Sequence, residues 1–334
     1  MLAKAIVGVD DKKVEIRDVE IGALGEWDIK VELEASAISV GTESYVLSVM
    51  KKDSPPYISG YAPVGRVVEA GKEAAASYKV GERVSYFSPR APQGVRQGCG
   101  GHQAAAFVNV DPKSRDLLGS DCYVVKVPEG LSSERAAFGG ISAVSCMGVS
   151  LAKPNVGDKA LVIGQGMIGQ FAAQHFHLRG CEVAVADLHE KRLQLAGKVG
   201  ADHVINCTKE NLPKAVRAIW PNGADIIADS TGNYQAIEAS VDAIHYRGKY
   251  VFLAWCKGAN FNLPKLHNRV FEAYFPWTLQ GFRVLSSWRL MAGEALKIDP
   301  LITHRFHYTE AQKAFDLIYA APDQYVGILL DWRA

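Results

Sequence analysis

The alternation of apolar and polar residues is strictest in DIKVELEASAISV, residues 28–40. There Ile29, Val31, Leu33 and Ala35 alternate with Lys30, Glu32 and Glu34, the period-2 signature of a half-buried strand. Two β-rich runs, AKAIVGV and KVEIRDVEI, precede it, and Val64–Gly71 and Val80–Val84 continue the theme between glycines. A glycine-punctuated, helix-poor N-terminal third predicts a β-barrel-like domain.

Near Tyr123 the period changes. VVKVPEGLSSERAAFGGISAVSCMGVSL places Ser132 or Ser133 as a helix cap before Glu134 and a run of small residues. From Ala160 onward short apolar runs (ALVIG, CEVAVAD, HVIN, DIIADSTG, KYVFLAW) alternate with helical stretches at 170–179, 190–199, 212–219 and 234–245. That βαβα order predicts an α/β fold, a doubly wound parallel sheet with helices on both faces. After Trp255 the pattern loosens through an aromatic-rich stretch between Val270 and Trp288. Thr309 to Ala320 reads as a capped amphipathic helix with Ala311, Ala314, Phe315 and Ile318 on one face. The final VGILLDW reads as a strand, expected to return to the N-terminal domain.

The chemistry concentrates at the first strand of the alternating region. Ala160 to Ile163 runs directly into Gly164-Gln165-Gly166-Met167-Ile168-Gly169. In such a strand–turn–helix the first glycine permits the turn, the second admits a pyrophosphate to the backbone, and the third lets helix and strand pack closely. The helix N-terminus presents free N–H groups to the phosphates. Asp187 closes the next strand, 23 residues beyond Gly164, near the spacing of the acid that binds the ribose hydroxyls. A carboxylate there favours NAD over NADP; Arg192 follows on the next helix, a candidate neighbour of the adenine.

A length of 334 residues predicts about two domains. Lys+Arg of 37 against Asp+Glu of 36 gives a net charge of +1, which offers no basic field for nucleic acid or an anionic membrane. Six cysteines without a Cys-x-x-Cys pair give neither a disulfide framework nor a cysteine zinc cluster. No leader and no membrane span is apparent, so a cytoplasmic location is expected.

The chain resembles the medium-chain dehydrogenase/reductase superfamily over essentially its whole length. The resemblance rests on Gly41-Thr42-Glu43, GYAPVGRVVEAG, YKVGERV, VVKVPEGLSSERAA, NVGDKALVIGQGMIGQ, AGKVGADHVIN and DSTG at 229–232. It implies a GroES-like β-barrel catalytic domain over residues 1–124 and a Rossmann NAD-binding domain over 125–288. Residues 289–334 would return to the catalytic domain. It also implies a homodimer, expected through edge strands near Arg283 to Ser287, and nicotinamide-lining roles for Ser142 and Thr231. For each of those two, helix packing or turn capping is the structural alternative.

Departures from the family pattern fall on its metal. Where zinc members carry a cysteine, a gapless match gives Val40, with Ser39 one residue earlier. Gly60-Tyr61-Ala62 replaces Gly-His-Glu, and about Phe138 stands at a further ligand position. Such side chains are poor zinc ligands, so no metal is expected. Thr42, Glu43, Tyr61 and His102 are then the candidates for handling the alcohol proton. Each has a second reading: Tyr61 as filler of the vacated metal volume, Glu43 as a structural ion partner, His102 as a loop histidine. Ser39, Tyr45 and Trp255 are candidate walls of a small-molecule substrate pocket. The expected function is a zinc-independent, NAD-dependent interconversion of a secondary alcohol and a ketone. An enoyl or quinone reductase and a non-catalytic nucleotide-binding protein are the alternatives.

Overall fold

The alternating strand at 28–37 is the seam of the N-terminal region. In the computed structural model, which describes residues 1–113, 123–256, 265, 267–269, 271–277 and 280–333, the chain divides into two units. The first comprises Met1–Ile141, Thr278–Gly293 and Ile302–Ala334. Its elements begin with β1 (Leu2–Asp10), β2 (Lys13–Glu20), β3 (Asp28–Ala37), α1 (Val40–Ser48), β4 (Tyr57–Ile58) and β5 (Ala62–Ala70). They continue with β6 (Arg83–Tyr86), β7 (Arg96–Gln97), β8 (Ala105–Asn109), β9 (Val124–Lys126) and α2 (Ser133–Ala136).

Along its whole length β3 pairs antiparallel with β5, from Ile29↔Ala70 to Ala37↔Ala62. Its other edge is shared. Residues Asp28 to Glu32 pair with β8, while Ala35 to Ala37 pair with the C-terminal strand. A second sheet, in the order β2-β1-β4-β7, completes the β part of the unit. Ile29, Val31, Leu33 and Ala35 are buried, as the alternation requires. The helix expected after Leu131 forms as α2, its Ser132 hydroxyl accepting the Arg135 N–H.

The second unit, Ser142–Trp277 with Glu294–Leu301, is entered along α3 (Gly139–Ala152). Its strands are β10 (Lys159–Ile163), β11 (Glu182–Asp187), β12 (His203–Asn206), β13 (Ala224–Asp229), β14 (Ile244–Phe252) and β15 (Glu272–Tyr274). Its helices are α4 (Met167–His177), α5 (Glu190–Val199), α6 (Leu212–Ile219) and α7 (Tyr234–Ser240). The strands form one parallel sheet in the order β12-β11-β10-β13-β14-β15. The order reverses between β10 and β13, the switch point at which open α/β sheets bind ligands. Both faces of the sheet are covered. Val162, Val185, Phe176 and Leu193 belong to one core cluster, and Leu161, Ile163, Trp220 and Tyr250 to the other.

The chain after Trp277 departs from the expectation of edge strands near Arg283 to Ser287. It forms a helix, α8 (Gly281–Ala292), that belongs to the first unit. Val284, Ser287, Trp288 and Met291 recur at helical spacing and are buried. Trp288 Nε1 donates to the Ala136 carbonyl at 2.9 Å. The sheet edge on this side is β15 instead. The amphipathic helix near the C-terminus is α9 (Ala311–Ala320), with Ala311, Ala314, Phe315 and Ile318 buried as expected. The last strands, β16 (Ile302–His307) and β17 (Gly327–Asp331), return to β3, with Leu330 opposite Ser36.

Leu330 has no exposed surface and packs in the cluster that holds Ile6, Leu33 and Phe315. Leu330→Ala should therefore cost the first unit about 2–5 kcal/mol, read as a lower urea midpoint in equilibrium unfolding.

Candidate functional site

The glycine turn of the second unit uses its three glycines for three different reasons. Gly164 has φ +83, a conformation side chains rarely adopt. Gly169 packs so closely on the Gly164 carbonyl that a β-carbon would overlap it. Gly166, the N-cap of α4, is the exception: a β-carbon there would meet no atom of the chain within 4 Å. The absence of a side chain at Gly166 is not demanded by the protein itself. It leaves a cradle of the kind that admits a pyrophosphate to the backbone. Met167 is buried and Ile168 half-buried in the first turn of α4, whose N-terminal N–H groups are oriented for an anion.

Asp187 ends β11 with its carboxylate buried against this turn. Oδ2 accepts the Gln165 N–H at 2.5 Å and Oδ1 accepts the His189 N–H at 2.8 Å. Each oxygen retains lone-pair capacity. The same acid therefore shapes the turn and is placed to receive hydroxyl donors. Arg192 lies in α5, where its carbonyl accepts from Gln170 Nε2 at 2.9 Å. Thr231 donates its hydroxyl to Asp229 Oδ1 at 2.6 Å, and its methyl group lies beside Gly164. Burial pushes the Asp229 carboxyl up, while the Thr231 hydroxyl and the Gly232 and Thr231 N–H groups pull it down.

Ser142 is placed differently from a ring-lining group. It is fully buried, with Oγ 3.0 Å from His175 Nε2, which favours the packing role over a hydroxyl presented to a ligand. Burial, helped by the Arg179 charge, holds the His175 imidazole down to about 3. Trp255 is 69% exposed and meets Trp277 edge to face, with ring centroids 6.2 Å apart.

In the first unit the candidates gather around one carboxylate. Glu43 lies in the first turn of α1 and is only 2% exposed. Oε1 reaches back to accept the N–H of Ser39, the N-cap, at 2.7 Å, in the manner of a capping box. Oε2 accepts the Ser59 hydroxyl at 2.7 Å and lies 2.9 Å from His102 Nε2. His102 is fully buried, with Nδ1 2.9 Å from Ser36 Oγ. Both ring nitrogens are thus engaged inside the unit. His102 supports Glu43 and does not itself present a nitrogen at a surface.

The groups within reach of solvent are the neighbours of this node. Thr42, one residue before Glu43 on α1, is exposed, as is Tyr45. Tyr61 is half-buried, its ring edge to face with Phe87 at 5.9 Å, and Phe87 stacks on Tyr123 at 6.0 Å. Tyr61 follows Gly60, whose φ of +102 and close approach to the His102 backbone exclude a side chain. Bonds from His102 N to the Ser59 carbonyl (3.1 Å) and from Gly101 N to the Gly60 carbonyl (3.0 Å) fix this corner. Nearby, burial pushes the Tyr57 phenol up to about 12, with Cys99 and Glu43 adding to the shift.

Known proteins share this fold. The family model described as zinc-binding dehydrogenase matches residues 168–292. L-threonine 3-dehydrogenase of Shewanella baltica (strain OS185) is 26% identical over 344 residues, covering 96% of this chain and 97% of that protein. The crystal structure of 2R,3R-butanediol dehydrogenase from Bacillus subtilis superposes with a TM-score of 0.83 at 21% identity, covering 98% and 99% of the two chains. An alcohol dehydrogenase of Escherichia coli CFT073, solved in complex with NADH, gives a TM-score of 0.83 at 20% identity over 99% of both chains. The chain is a relative of the medium-chain, zinc-type dehydrogenases.

That kinship makes it an oxidoreductase and brings two groups into question, the nicotinamide cofactor and the zinc. The cofactor fits: the open face at Gly166, the N-terminus of α4 and the Asp187 carboxylate are a suitable set of partners. The zinc does not. At the positions where the resemblance expects zinc ligands stand Val40, Tyr61 and about Phe138, and Phe138 is fully buried. Among the described residues no group of three or more His, Cys, Asp or Glu side chains is arranged to hold a metal ion. Glu43 and His102, which have suitable donor atoms, are bonded to each other.

The side chains of Ser36, Ser59 and Trp332, none of them among the candidates from sequence, complete the Glu43–His102 node. Ser36 carried a signal. It continues the polar face of β3 after Glu34 yet is fully buried, and a small hydroxyl at that register suits an interior partner.

Gly166→Ala should change stability by no more than about 1 kcal/mol while weakening NAD(H) binding in titration calorimetry. Gly169→Ala should instead lower the unfolding midpoint of the unit, because the Gly164 carbonyl must move. His175 gives a pH prediction. Neutral when folded down to about 3, it takes up a proton in the unfolded chain below its ordinary 6.5. Stability should fall as pH drops from 6.5 toward 3, and His175→Gln should flatten that slope in urea unfolding series.

Proposed function

We propose that this oxidoreductase is a zinc-independent dehydrogenase that uses NAD to interconvert a secondary alcohol (a polyol, sugar, cyclitol or similar) and a ketone. The observation that carries the reading is the buried Glu43 carboxylate. Three donors hold it, and Val40, Tyr61 and Ala62, where the resemblance expects zinc ligands, are poor ligands. The nicotinamide, when bound, accepts or donates the hydride at the substrate carbon. What remains for the chain is the proton on the substrate oxygen.

Thr42 and Tyr61 are the hydroxyl groups suited to that task. Glu43 fixes the N-terminus of α1 and, through Ser59 and His102, the corner that carries Tyr61. A held hydroxyl, Thr42 Oγ1 or Tyr61 Oη, can hydrogen-bond the substrate oxygen and pass a proton between it and water. In alcohol oxidation it takes the alcohol proton as its own proton leaves to water, and in ketone reduction the transfer runs the other way. His102 acts here through Glu43 and not on substrate. Tyr45, exposed on α1, supplies aromatic surface for the rest of a small molecule, and Ser39 contributes its backbone to the node. On the cofactor side, Gly164, Gly166 and Gly169 form the phosphate turn and Asp187 receives the ribose hydroxyls, which disfavours the extra phosphate of NADP. Arg192 and Thr231 border this set. The reading includes a homodimer, as the resemblance implies, and a cytoplasmic location; among the described residues no helix is long and apolar enough to cross a membrane.

The test offers metal-stripped protein NAD and NADP with a panel of polyols, then NADH and NADPH with ketones and enones. Expected is NAD-linked alcohol oxidation that a chelator leaves unchanged. Hydride transfer only to enones, or activity restored by zinc, contradicts the proposal. Asp187→Ala should narrow the preference for NAD on the order of tenfold, the worth of one hydrogen bond to a charged group.

A further inference from the structure

Three separate segments of the first unit meet around His102, which lies just before β8: the end of β3, α1 and the residues after β17. Trp332 Nε1 lies 2.8 Å from Ser36 Oγ. An indole N–H only donates, so Ser36 Oγ is its acceptor. The Ser36 hydroxyl has one proton of its own, and His102 Nδ1 lies 2.9 Å away. On the far side of the ring Nε2 lies 2.9 Å from Glu43 Oε2, an oxygen that also takes the Ser59 hydroxyl proton at 2.7 Å.

Counting donors leaves one arrangement in which every group is satisfied. Trp332 donates to Ser36, Ser36 donates to Nδ1, and the ring proton sits on Nε2, donated to Glu43. The opposite tautomer would set the Nε2 lone pair against a carboxylate oxygen. It would also leave the Ser36 proton with no acceptor where Ser36 and His102 have no exposed surface, and burial makes such orphaned groups costly. The relay is anchored by structure that has nothing else to do with the node. Trp332 stacks on Tyr308 at 4.7 Å, and its backbone N–H donates to the Glu34 carbonyl at 3.1 Å.

We propose that Trp332 and Ser36 are positioning residues that fix the tautomer of His102, so that its Nε2–H is always presented to Glu43. The C-terminal strand thereby becomes part of the site: its return to β3 brings in the donor that sets the direction of every hydrogen bond up to α1. The proposal deepens the functional reading above and rests on the role given there to Glu43.

Two-bond ¹H–¹⁵N spectra of the full-length protein with ¹⁵N-labelled histidine, recorded at pH 7, test it without any substrate. His102→Gln identifies the His102 signals. Expected in the unmodified protein is a single tautomer, with a proton-free nitrogen at Nδ1 and a protonated nitrogen at Nε2. Trp332→Phe and Ser36→Ala should lose that single pattern, and Ser36→Thr, which keeps the hydroxyl, should restore it. A proton on Nδ1 in the unmodified protein overturns the relay, as does an unchanged pattern in both Trp332→Phe and Ser36→Ala. Failure of alcohol oxidation with the expected tautomer present would remove the functional reading and leave the relay standing.

Discussion

A carboxylate withdrawn from water must be met by donors or it will not stay ionised and in place. Glu43 is met by three: the N–H of its own helix cap, the Ser59 hydroxyl and the His102 ring. Because those partners come from α1, from the segment before β5 and from the segment before β8, one buried charge ties together three stretches distant in sequence. The positive end of α1 adds to its stabilisation. The exposed Thr42 and half-buried Tyr61 take their positions from this knot.

In the second unit the governing constraint is steric. The parallel sheet brings β10 beside β13 at the point where strand order reverses. Gly164 turns the chain there with positive φ, and Gly169 lets α4 lie on the turn. Asp187 then holds the Gln165 N–H from the neighbouring strand end. Of the three glycines Gly166 alone has an open face.

The second unit was largely legible in the sequence because its signals are local. Strand, glycine turn, helix and acid follow one another within some tens of residues, and each fixes a backbone conformation by its own chemistry. The β-rich first third and the return of the C-terminal strand could also be read, from period-2 alternation and the βαβ count. The edge strand expected near Arg283 was misread because aromatic richness there masked a three-and-four spacing of Val284, Ser287, Trp288 and Met291. The Glu43 node was only half visible. Thr42 and Glu43 match the family motif and Tyr61 departs from it, but Ser36, Ser59 and Trp332 join the node across 296 residues of chain at the widest. Partners chosen by three-dimensional register leave no spacing in one dimension. For the same reason neither a proton-handling nor a loop-histidine reading of His102 foresees that both its nitrogens are occupied inside the unit.

If Glu43 organises the site, its charge and not its shape is what matters. Turnover and NAD affinity of Glu43→Gln, compared with the unmodified protein in the absence of metal, test that claim most directly. The amide keeps the volume but turns one of the two oxygens into a donor facing donors. The account predicts that turnover falls on the order of 100-fold, as displaced reacting groups would cause, while NAD affinity is unchanged. Unaltered turnover in Glu43→Gln would contradict it.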